Sequence, residues 1–263
     1  MDPWFESHFI HAARIACGFL TECAPLAGAR ILDFGCGDGL IAAGVAALSP
    51  GLVVGADINP SFSHLPQLLK DNTGNAAPPT ELDFVQVGPD CRLPFAPGSF
   101  DAAYSWSVFE HLPDVPAALA ALQAALRPGG HCLIQIDPLY LSPFGSHLRR
   151  LVDIPWAHLT LSTAAYLELA RQAEDSDANA EKGDLLYSCN DFGSYKKHLI
   201  EQFLDLNRLT VRQLLYCVQQ SGFTVLRVVP VRVSGEFVPP PSLLCAYSPD
   251  DLLTSTLYLL LRR

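Results

Sequence analysis

Paired cysteine and histidine motifs are missing from this sequence. It contains no C-x-x-C pair, no H-E-x-x-H stretch and no cluster of cysteine and histidine at the spacing of a zinc site. The eight cysteines are scattered, and most lie within apolar runs, where a free cysteine behaves as a small buried side chain. The pattern excludes a disulfide scaffold, predicts a reducing cytoplasm and gives no reason to predict a bound metal.

Basic charge is also scarce. Lysine and arginine together number 17 against 27 aspartates and glutamates, so the formal net charge is −10. A chain with this excess of negative charge repels the phosphate backbone of nucleic acids. We therefore predict no DNA or RNA partner.

Long apolar runs are absent from both ends of the chain. The first 20 residues are interrupted by Glu6, His8, His11 and Arg14, which predicts that they are not a signal peptide. The closing run LYLLLRR is far shorter than the about 20 apolar residues that a membrane-spanning helix needs. The sequence predicts no membrane span.

What the sequence does contain is an alternation of strand-like and helix-like segments, which predicts a doubly wound α/β sheet, mostly parallel. Ligands of such sheets bind beyond the carboxyl ends of the strands. Strands are predicted within 30–35, 52–58, 82–88, 100–108, 131–138, 223–233 and 255–263, and helices within 4–24, 40–48, 61–72, 115–130, 161–172 and 210–222.

Domain organisation follows from where this alternation is interrupted. We predict a single domain over 1–263, with a helical cap at 1–27 and an inserted lid at 139–209, after the fifth strand. The inserted segment mixes aromatic residues, prolines and histidines, and it is longer than an ordinary loop. It is therefore the predicted site of acceptor recognition.

The stretch ILDFGCGDGL, at 31–40, places three glycines directly after an apolar strand. Its spacing is G-x-G-x-G, and Leu40 follows the third glycine, so it departs from the G-x-G-x-x-G of dinucleotide-binding proteins. Asp57 ends the second strand about 20 residues after the loop, where a carboxylate could hold a ribose diol. A nucleotide-like ligand is predicted, and a nicotinamide cofactor stays open as an alternative.

Taken together, these stretches resemble the motifs of class I S-adenosylmethionine-dependent methyltransferases. ILDFGCGDG is similar to the first motif of that family, and GADIN is similar to the second. VGPDCRLPFAPGSFDAAYSWSVFEHLPD is similar to the third and fourth, and ALRPGGHCLIQID to the segment that forms strand five. The resemblance covers about residues 28–138, with weaker support from 205–263, where the last strand of the fold would be antiparallel.

This resemblance implies S-adenosyl-L-methionine as the cofactor and assigns it a set of contacts. Asp57 would bind the ribose hydroxyls and Ile58 would lie against the adenine, whose amino group Asp90 would reach. Asp90 is alternatively a turn residue, and Cys36 a small filler. The implied cofactor-binding residues are Asp33, Gly35, Cys36, Gly37, Asp57, Ile58, Asp90, Cys91 and Ser105.

Methyl transfer mainly requires alignment of donor and acceptor, and a base is needed only for a weak nucleophile such as a hydroxyl. His111, after the fourth strand, is the first candidate for that base, and His158 in the lid is the second. His147 in the lid is a third, and a structural role is an open alternative for each of them. The aromatic residues of the lid are predicted either to line the acceptor pocket or to form the core of the lid.

We therefore expect methyl transfer to a small molecule. O-methylation of a sugar, a glycoconjugate or another metabolite is favoured. A nicotinamide-dependent oxidoreductase and a non-catalytic S-adenosylmethionine-binding protein are the alternatives.

Overall fold

A central β-sheet organises the computed structural model, which describes residues 1–48, 51–175 and 191–263. The sheet has seven strands in the order β3-β2-β1-β4-β5-β7-β6, and the predicted α/β architecture is confirmed. The strands are β1 (Ile31–Phe34), β2 (Val53–Asp57), β3 (Leu82–Gln86), β4 (Phe100–Trp106), β5 (Leu126–Ile136), β6 (Thr224–Arg232) and β7 (Thr254–Arg262).

Strands β1 to β5 are parallel, while β7 runs antiparallel to both of its neighbours, β5 and β6. The chain builds outward from β1 to β3 and then returns to β4 on the other side of β1. The strand order therefore reverses between β1 and β4, and the carboxyl ends of these two strands flank the crevice where such sheets bind ligands.

Helices cover both faces of the sheet. The amino-terminal segment begins as α1 (Pro3–Phe5), continues as a π-helix (Glu6–Ala12) and ends as α2 (Ala13–Thr21). A 3₁₀ turn (Pro60–His64) precedes α4. The other helices are α3 (Leu40–Leu48), α4 (Leu65–Thr73), α5 (Val115–Ala125), α6 (Ala157–Thr160), α7 (Thr163–Gln172), α8 (Phe192–Asp205), α9 (Val211–Gln220), α10 (Pro241–Leu244) and α11 (Pro249–Leu253).

Each face of the sheet buries its own apolar layer. On one face, α5 and α9 bury Leu119, Leu122 and Val218 against the strands. On the other face, α2, α3 and α4 bury residues such as Leu20 and Leu40. Since both faces are covered, the central strands have apolar side chains on both sides, as parallel strands usually do.

Within the lid, the described residues form a further apolar cluster. Leu148, Tyr166, Tyr195 and Phe203 are buried together there, and they come from α7, α8 and the irregular segment before them. The predicted lid, 139–209, contains 176–190, which lie outside the described residues. The division into cap, domain and lid stays a prediction.

One sequence-based prediction of local structure was wrong, and one helix was not predicted. The helix predicted over 115–130 ends at Ala125, and the next residues already belong to β5. Leu126 pairs with Phe100 of β4, and the N–H of Gly129 donates to the carbonyl oxygen of Arg263 at 3.1 Å. Pairing with neighbouring strands has therefore overridden the local helical pattern. The helix that was not predicted is α8.

Within the described ranges, no helix combines the length and the apolar character that crossing a membrane requires.

Candidate active site

The glycine loop between β1 and α3 has two glycines with different roles. Gly35 has a backbone φ of +82°, and a Cβ atom there would lie 2.3 Å from a Cγ atom of Val108. Gly37 has a φ of +53°, but a Cβ atom there would meet nothing within 4 Å. Gly35 is thus packed against the segment after β4, whereas Gly37 leaves the surface of the loop open to a ligand.

Asp57 ends β2 beside this loop, and its partly exposed carboxylate is held by two backbone groups. The N–H of Gly37 donates to Oδ2 at 2.8 Å, and the N–H of Asn59 donates to Oδ1 at 2.8 Å. Each oxygen keeps a lone pair for a further donor. Next to it, 51% of the Ile58 side chain is exposed, which leaves an apolar surface beside a fixed carboxylate.

Asp33 lies beneath the loop, not at its surface. Its side chain is 1% exposed, and the hydroxyl of Tyr104 donates to its Oδ2 at 2.8 Å. Burial raises the pKa of this carboxyl to about 8, against the effect of the Tyr104 hydrogen bond, and the nearby charges of Asp57 and Asp38 raise it further. The loop is therefore surrounded by acidic groups.

Two of the other predicted residues are buried supports. The Cys36 side chain is 6% exposed and packs where a Cβ atom on Gly55 would lie, and burial raises the pKa of its thiol, so it is not a reactive thiol. The hydroxyl of Ser105 is fully buried and donates to the carbonyl oxygen of Phe34 at 2.9 Å. Both side chains hold β2 or β4 against β1 and the loop.

Asp90 and Cys91 form the turn after β3. The carboxylate of Asp90 is exposed and accepts the backbone N–H of Arg92 at 3.2 Å, as in an Asx turn. Cys91 is 8% exposed and has a φ of +59°. The turn alternative therefore describes Asp90 in the free protein, and its contact with an adenine stays a prediction.

These residues fit S-adenosyl-L-methionine. The open face of Gly37 admits a ligand, Asp57 presents acceptors for a ribose diol, and Ile58 offers an apolar surface for a base. The carboxylates of Asp57 and Asp38 beside the loop suit a ligand that carries sulfonium and ammonium charges.

A second polar group lies after β4, under the lid. One ligating atom from each of Glu110, His111 and His147 lies within 4.8 Å of the others. The rings of His111 and His147 meet edge to face, with centroids 5.0 Å apart. Two residues that follow β4 are thus brought together with a histidine from the lid, and their atoms are of the kinds that bind metals or move protons.

The electrostatics of this cluster are set by burial. Glu110 is 7% exposed, and burial raises the pKa of its carboxyl to about 8. The backbone groups of Glu110 and Asp137 lie near the carboxyl and lower that pKa in part, but neither has the geometry of a hydrogen bond to it. Burial lowers the pKa of His111 and brings that of His147 to about 3, so both imidazoles are neutral at physiological pH.

His158 belongs to the interior of the lid. Its Nε2 atom donates to the carbonyl oxygen of Tyr140 at 2.7 Å, and its ring packs against Tyr140 and Tyr166. Burial lowers its pKa to about 4. Its predicted catalytic role stays a prediction, and the geometry is that of a structural histidine.

A narrow cleft of about 20 Å³ lies between the ends of β4 and β5 and the lid. Glu110 is at its wall, and Tyr140, Asn207 and Arg208 contribute the other large polar side chains. Its apolar lining comes from Phe109, Ile136, Leu139, Leu206, Leu209 and Leu214. The lining of this cleft is therefore mostly apolar, with a few polar groups at its wall.

Sequence reasoning missed the part played by Glu110 and Asn207. The Asn207 side chain donates to the carbonyl oxygens of Phe109, at 2.6 Å, and Leu112, at 3.0 Å, and its backbone N–H donates to the carbonyl oxygen of Glu110. It fixes the segment that carries the cluster. No sequence motif predicts this contact, because it joins residues far apart in the chain.

Comparison with known proteins identifies the family. A family model described as a methyltransferase domain matches residues 8–228. A ubiquinone biosynthesis O-methyltransferase of Ralstonia nicotianae is 29% identical over 131 residues, which are 49% of this chain and 52% of that protein. The chain spans about half the length of the curated relatives it matches.

Solved structures agree on the fold. An S-adenosylmethionine-dependent methyltransferase from Mesorhizobium loti matches with a TM-score of 0.51 and 20% identity, over 93% of this chain and 95% of that one. The Haemonchus contortus phosphoethanolamine N-methyltransferase 2, in complex with S-adenosyl-L-methionine, matches with a TM-score of 0.58 and 16% identity, over 100% of this chain and 56% of that one. The chain belongs to the methyltransferase domain family and has the fold of the class I S-adenosylmethionine-dependent methyltransferases.

Proposed function

We propose that this protein transfers a methyl group from S-adenosyl-L-methionine to a hydroxyl oxygen of a small molecule held under the lid. One observation carries the proposal. Gly35, in the glycine loop between β1 and α3 (the cofactor loop), packs directly on Val108. Val108 lies two residues before Glu110 and three before His111. The cofactor edge of the sheet and the polar cluster are therefore adjacent.

The bound cofactor supplies a methyl group on a sulfonium, and the carbon–sulfur bond breaks as the carbon–oxygen bond forms. The chain has to align the acceptor and take up the hydroxyl proton. In this proposal an imidazole nitrogen of His111 accepts that proton, and His147 and Glu110 surround it. We leave His158 out, because its Nε2 atom is already bonded to Tyr140.

The class of acceptor is proposed from the cleft. Its lining is mostly apolar, which favours a hydroxyl on a metabolite with an apolar body over a bare sugar or a glycoconjugate. The names of the curated relatives support O-methylation, while the N-methyltransferase among the structural neighbours shows that the fold itself leaves the acceptor atom open.

Other parts of the proposal concern partners and location. The net charge of −10 supports a small-molecule acceptor over a nucleic acid. The seven described cysteines are free thiols, in keeping with a proposed cytoplasmic location. Family membership leaves no observation that favours a nicotinamide cofactor.

Calorimetric titration with S-adenosyl-L-methionine tests the cofactor site. The wild-type protein should bind, and Asp57→Ala should weaken binding by about tenfold to a hundredfold, because hydrogen bonds to a charged group are lost. Asp83→Ala is the matched control, since Asp83 is an exposed aspartate on the next strand. Absence of binding at millimolar cofactor, or equal affinity in both variants, would refute the proposal.

Release of S-adenosylhomocysteine over a panel of hydroxyl, amine and thiol acceptors tests the reaction. We expect turnover with hydroxyl acceptors, and a large loss of kcat in His111→Gln with cofactor affinity retained. Product from amines only would contradict O-methylation. A protein that binds the cofactor and turns over no acceptor would match the non-catalytic alternative.

A further inference from the structure

Three of the four buried side-chain polar atoms that lack a hydrogen-bond partner, among the residues the structure describes, lie in one place. They are both carboxylate oxygens of Glu110 and Nε2 of His147. Buried polar atoms in folded proteins nearly always have a partner, and each unpartnered one is costly. Their concentration under the lid indicates that the cluster is built to bind something.

We infer that Glu110, His111 and His147 form a binding site for one divalent first-row transition-metal ion, of the kind that zinc represents. The inference deepens the proposed function. It rests on that function for what the ion would do, but not for whether the ion binds.

The donor set determines the class of ion. Two imidazoles and one carboxylate suit zinc, iron, cobalt or nickel, whereas magnesium and calcium prefer sites made of oxygen ligands. The same combination, two histidines and one glutamate, occurs in catalytic zinc sites, where the fourth position is left for water or substrate. Here the wall of the cleft at Glu110 provides that open side.

The ring of His147 has a nitrogen that is free to bind a ligand. Its Nε2 atom is buried and has no hydrogen-bond partner, and the backbone of Pro138 lies near the ring. A neutral imidazole that donates from Nδ1 to a carbonyl carries its lone pair on Nε2, which is the usual arrangement of metal-binding histidines. His147 is also held with a φ of +62°, so its position is imposed by the surrounding fold.

The segment that bears the other two ligands is also fixed. Asn207 bonds to the backbone on both sides of it, through the carbonyl oxygens of Phe109 and Leu112. The ligating atoms lie within 4.8 Å of one another, while tetrahedral ligands at zinc distances are roughly 3.3 Å apart. Binding of an ion would therefore draw the ligating atoms closer together.

An ion here would change how the acceptor loses its proton. A hydroxyl bound at the open position has a lowered pKa, and its proton can pass to water. His111 would then be a ligand and not the proton acceptor. The competing explanation is a water molecule that bridges Glu110 and His147.

Cobalt binding to the full chain, freed of metal with a chelator, tests the inference. Titration with Co²⁺ should reach one ion per chain, with visible absorption typical of a tetrahedral site, and Zn²⁺ should displace it. Glu110→Gln and His147→Gln should each weaken binding roughly tenfold or more. His158→Gln is the matched control, because His158 is a neighbouring buried lid histidine outside the cluster.

Several outcomes would overturn the inference: less than stoichiometric binding by the wild-type protein, or equal binding in the cluster variants and in His158→Gln. Circular dichroism and urea unfolding show which variants are folded, and crystals soaked in Zn²⁺ locate the ion by anomalous scattering even if a variant fails. Calorimetry with S-adenosyl-L-methionine, with and without metal, separates the two proposals. Cofactor binding without metal binding refutes the ion site alone, whereas loss of cofactor binding refutes the proposed function.

Discussion

At the scale of single residues, the cofactor loop depends on a glycine that nothing else can replace. Gly35 combines a φ of +82° with a contact that a Cβ atom would make at 2.3 Å. We expect Gly35→Ala to lower the free energy of unfolding by about 3 kcal/mol, from a left-handed backbone conformation and a steric clash together. Urea unfolding measures the change.

Gly74 is the matched control for this substitution. It has nearly the same φ, +79°, at the end of α4, but a Cβ atom there would meet nothing within 4 Å. Gly74→Ala should therefore cost only the backbone term, about 1 kcal/mol. Equal losses in the two variants would show that the contact with Val108 contributes nothing.

Asp33 makes a pH-dependent contribution to stability. Its pKa is about 8 in the folded protein, against about 3.9 for an ordinary aspartate. The folded state therefore holds an extra proton between these values, and the free energy of unfolding falls as the pH rises through that window. The upper bound of the loss is about 6 kcal/mol.

Asp33→Asn should make stability less dependent on pH, because an amide stays neutral and its oxygen still accepts the Tyr104 hydroxyl. Urea unfolding at several values between pH 5 and pH 8 gives the slope for each protein. The wild-type slope should be the steeper one. Parallel curves for the two proteins would mean that Asp33 is ionised in the folded state.

Sequence reasoning at this scale worked where a residue's place follows from its own strand. Asp57 could be located because a carboxylate that ends a buried strand must emerge at the edge of the sheet. Ser105 could not, because period-two alternation does not say whether a hydroxyl faces a ligand or, as here, bonds to the carbonyl oxygen of Phe34. The hydrogen bond from the Arg92 N–H to Asp90 could not be predicted either, because the sequence does not say whether a carboxylate faces a ligand or the backbone.

At the scale of elements, helix α9 begins with a capping box. The Thr210 hydroxyl accepts the N–H of Gln213 at 3.2 Å, and the Gln213 side chain accepts the N–H of Thr210 at 2.9 Å. Thr210→Ala should cost about 1 kcal/mol of stability, and Thr210→Ser should restore most of it. Thermal and urea unfolding of both variants test this, and an unchanged Thr210→Ala protein would contradict it.

The bounds of some elements are determined by the local sequence, and those of others by contacts with neighbouring elements. The start of α9 was predicted correctly at Thr210, because a cap is a local feature. The end of α5 was predicted wrongly, because Leu126 pairs with Phe100 of β4. These two residues are too far apart in the chain for a local sequence pattern to predict the pairing. Helix α8 was missed because its apolar face is defined only by the lid residues it covers.

At the scale of the whole molecule, the polar cluster illustrates what a sequence does not reveal. His111 and His147 were both candidates, but only the return of the lid over the ends of β4 and β5 places them beside each other. Glu110 was part of a familiar motif and received no role, since its burial without a partner depends on that same lid. Packing between residues far apart in the chain therefore determines the polar cluster, which the sequence motifs do not define.

Cofactor binding and the lid should be separable in the whole protein. Phe203 is 1% exposed in the lid cluster, so Phe203→Ala should cost about 3–5 kcal/mol of stability, mostly as local loosening of the lid. Hydrogen exchange should then increase in the described lid segments 139–175 and 191–209. Cofactor affinity, measured by calorimetry, should change less than twofold, because none of the proposed cofactor contacts comes from the lid.

Phe5→Ala is the matched substitution on the other side of the molecule. Phe5 is also 1% exposed, but it lies in the helical cap, where the indole Nε1 of the adjacent Trp4 donates to Asp38 of the cofactor loop at 3.1 Å. Loosening this helix should weaken cofactor binding several-fold and leave exchange in the lid unchanged. If Phe203→Ala reduced cofactor affinity as much as Phe5→Ala does, the lid would have to contact the cofactor directly. The assignment of the sheet edge to the cofactor and the lid to the acceptor would then be wrong.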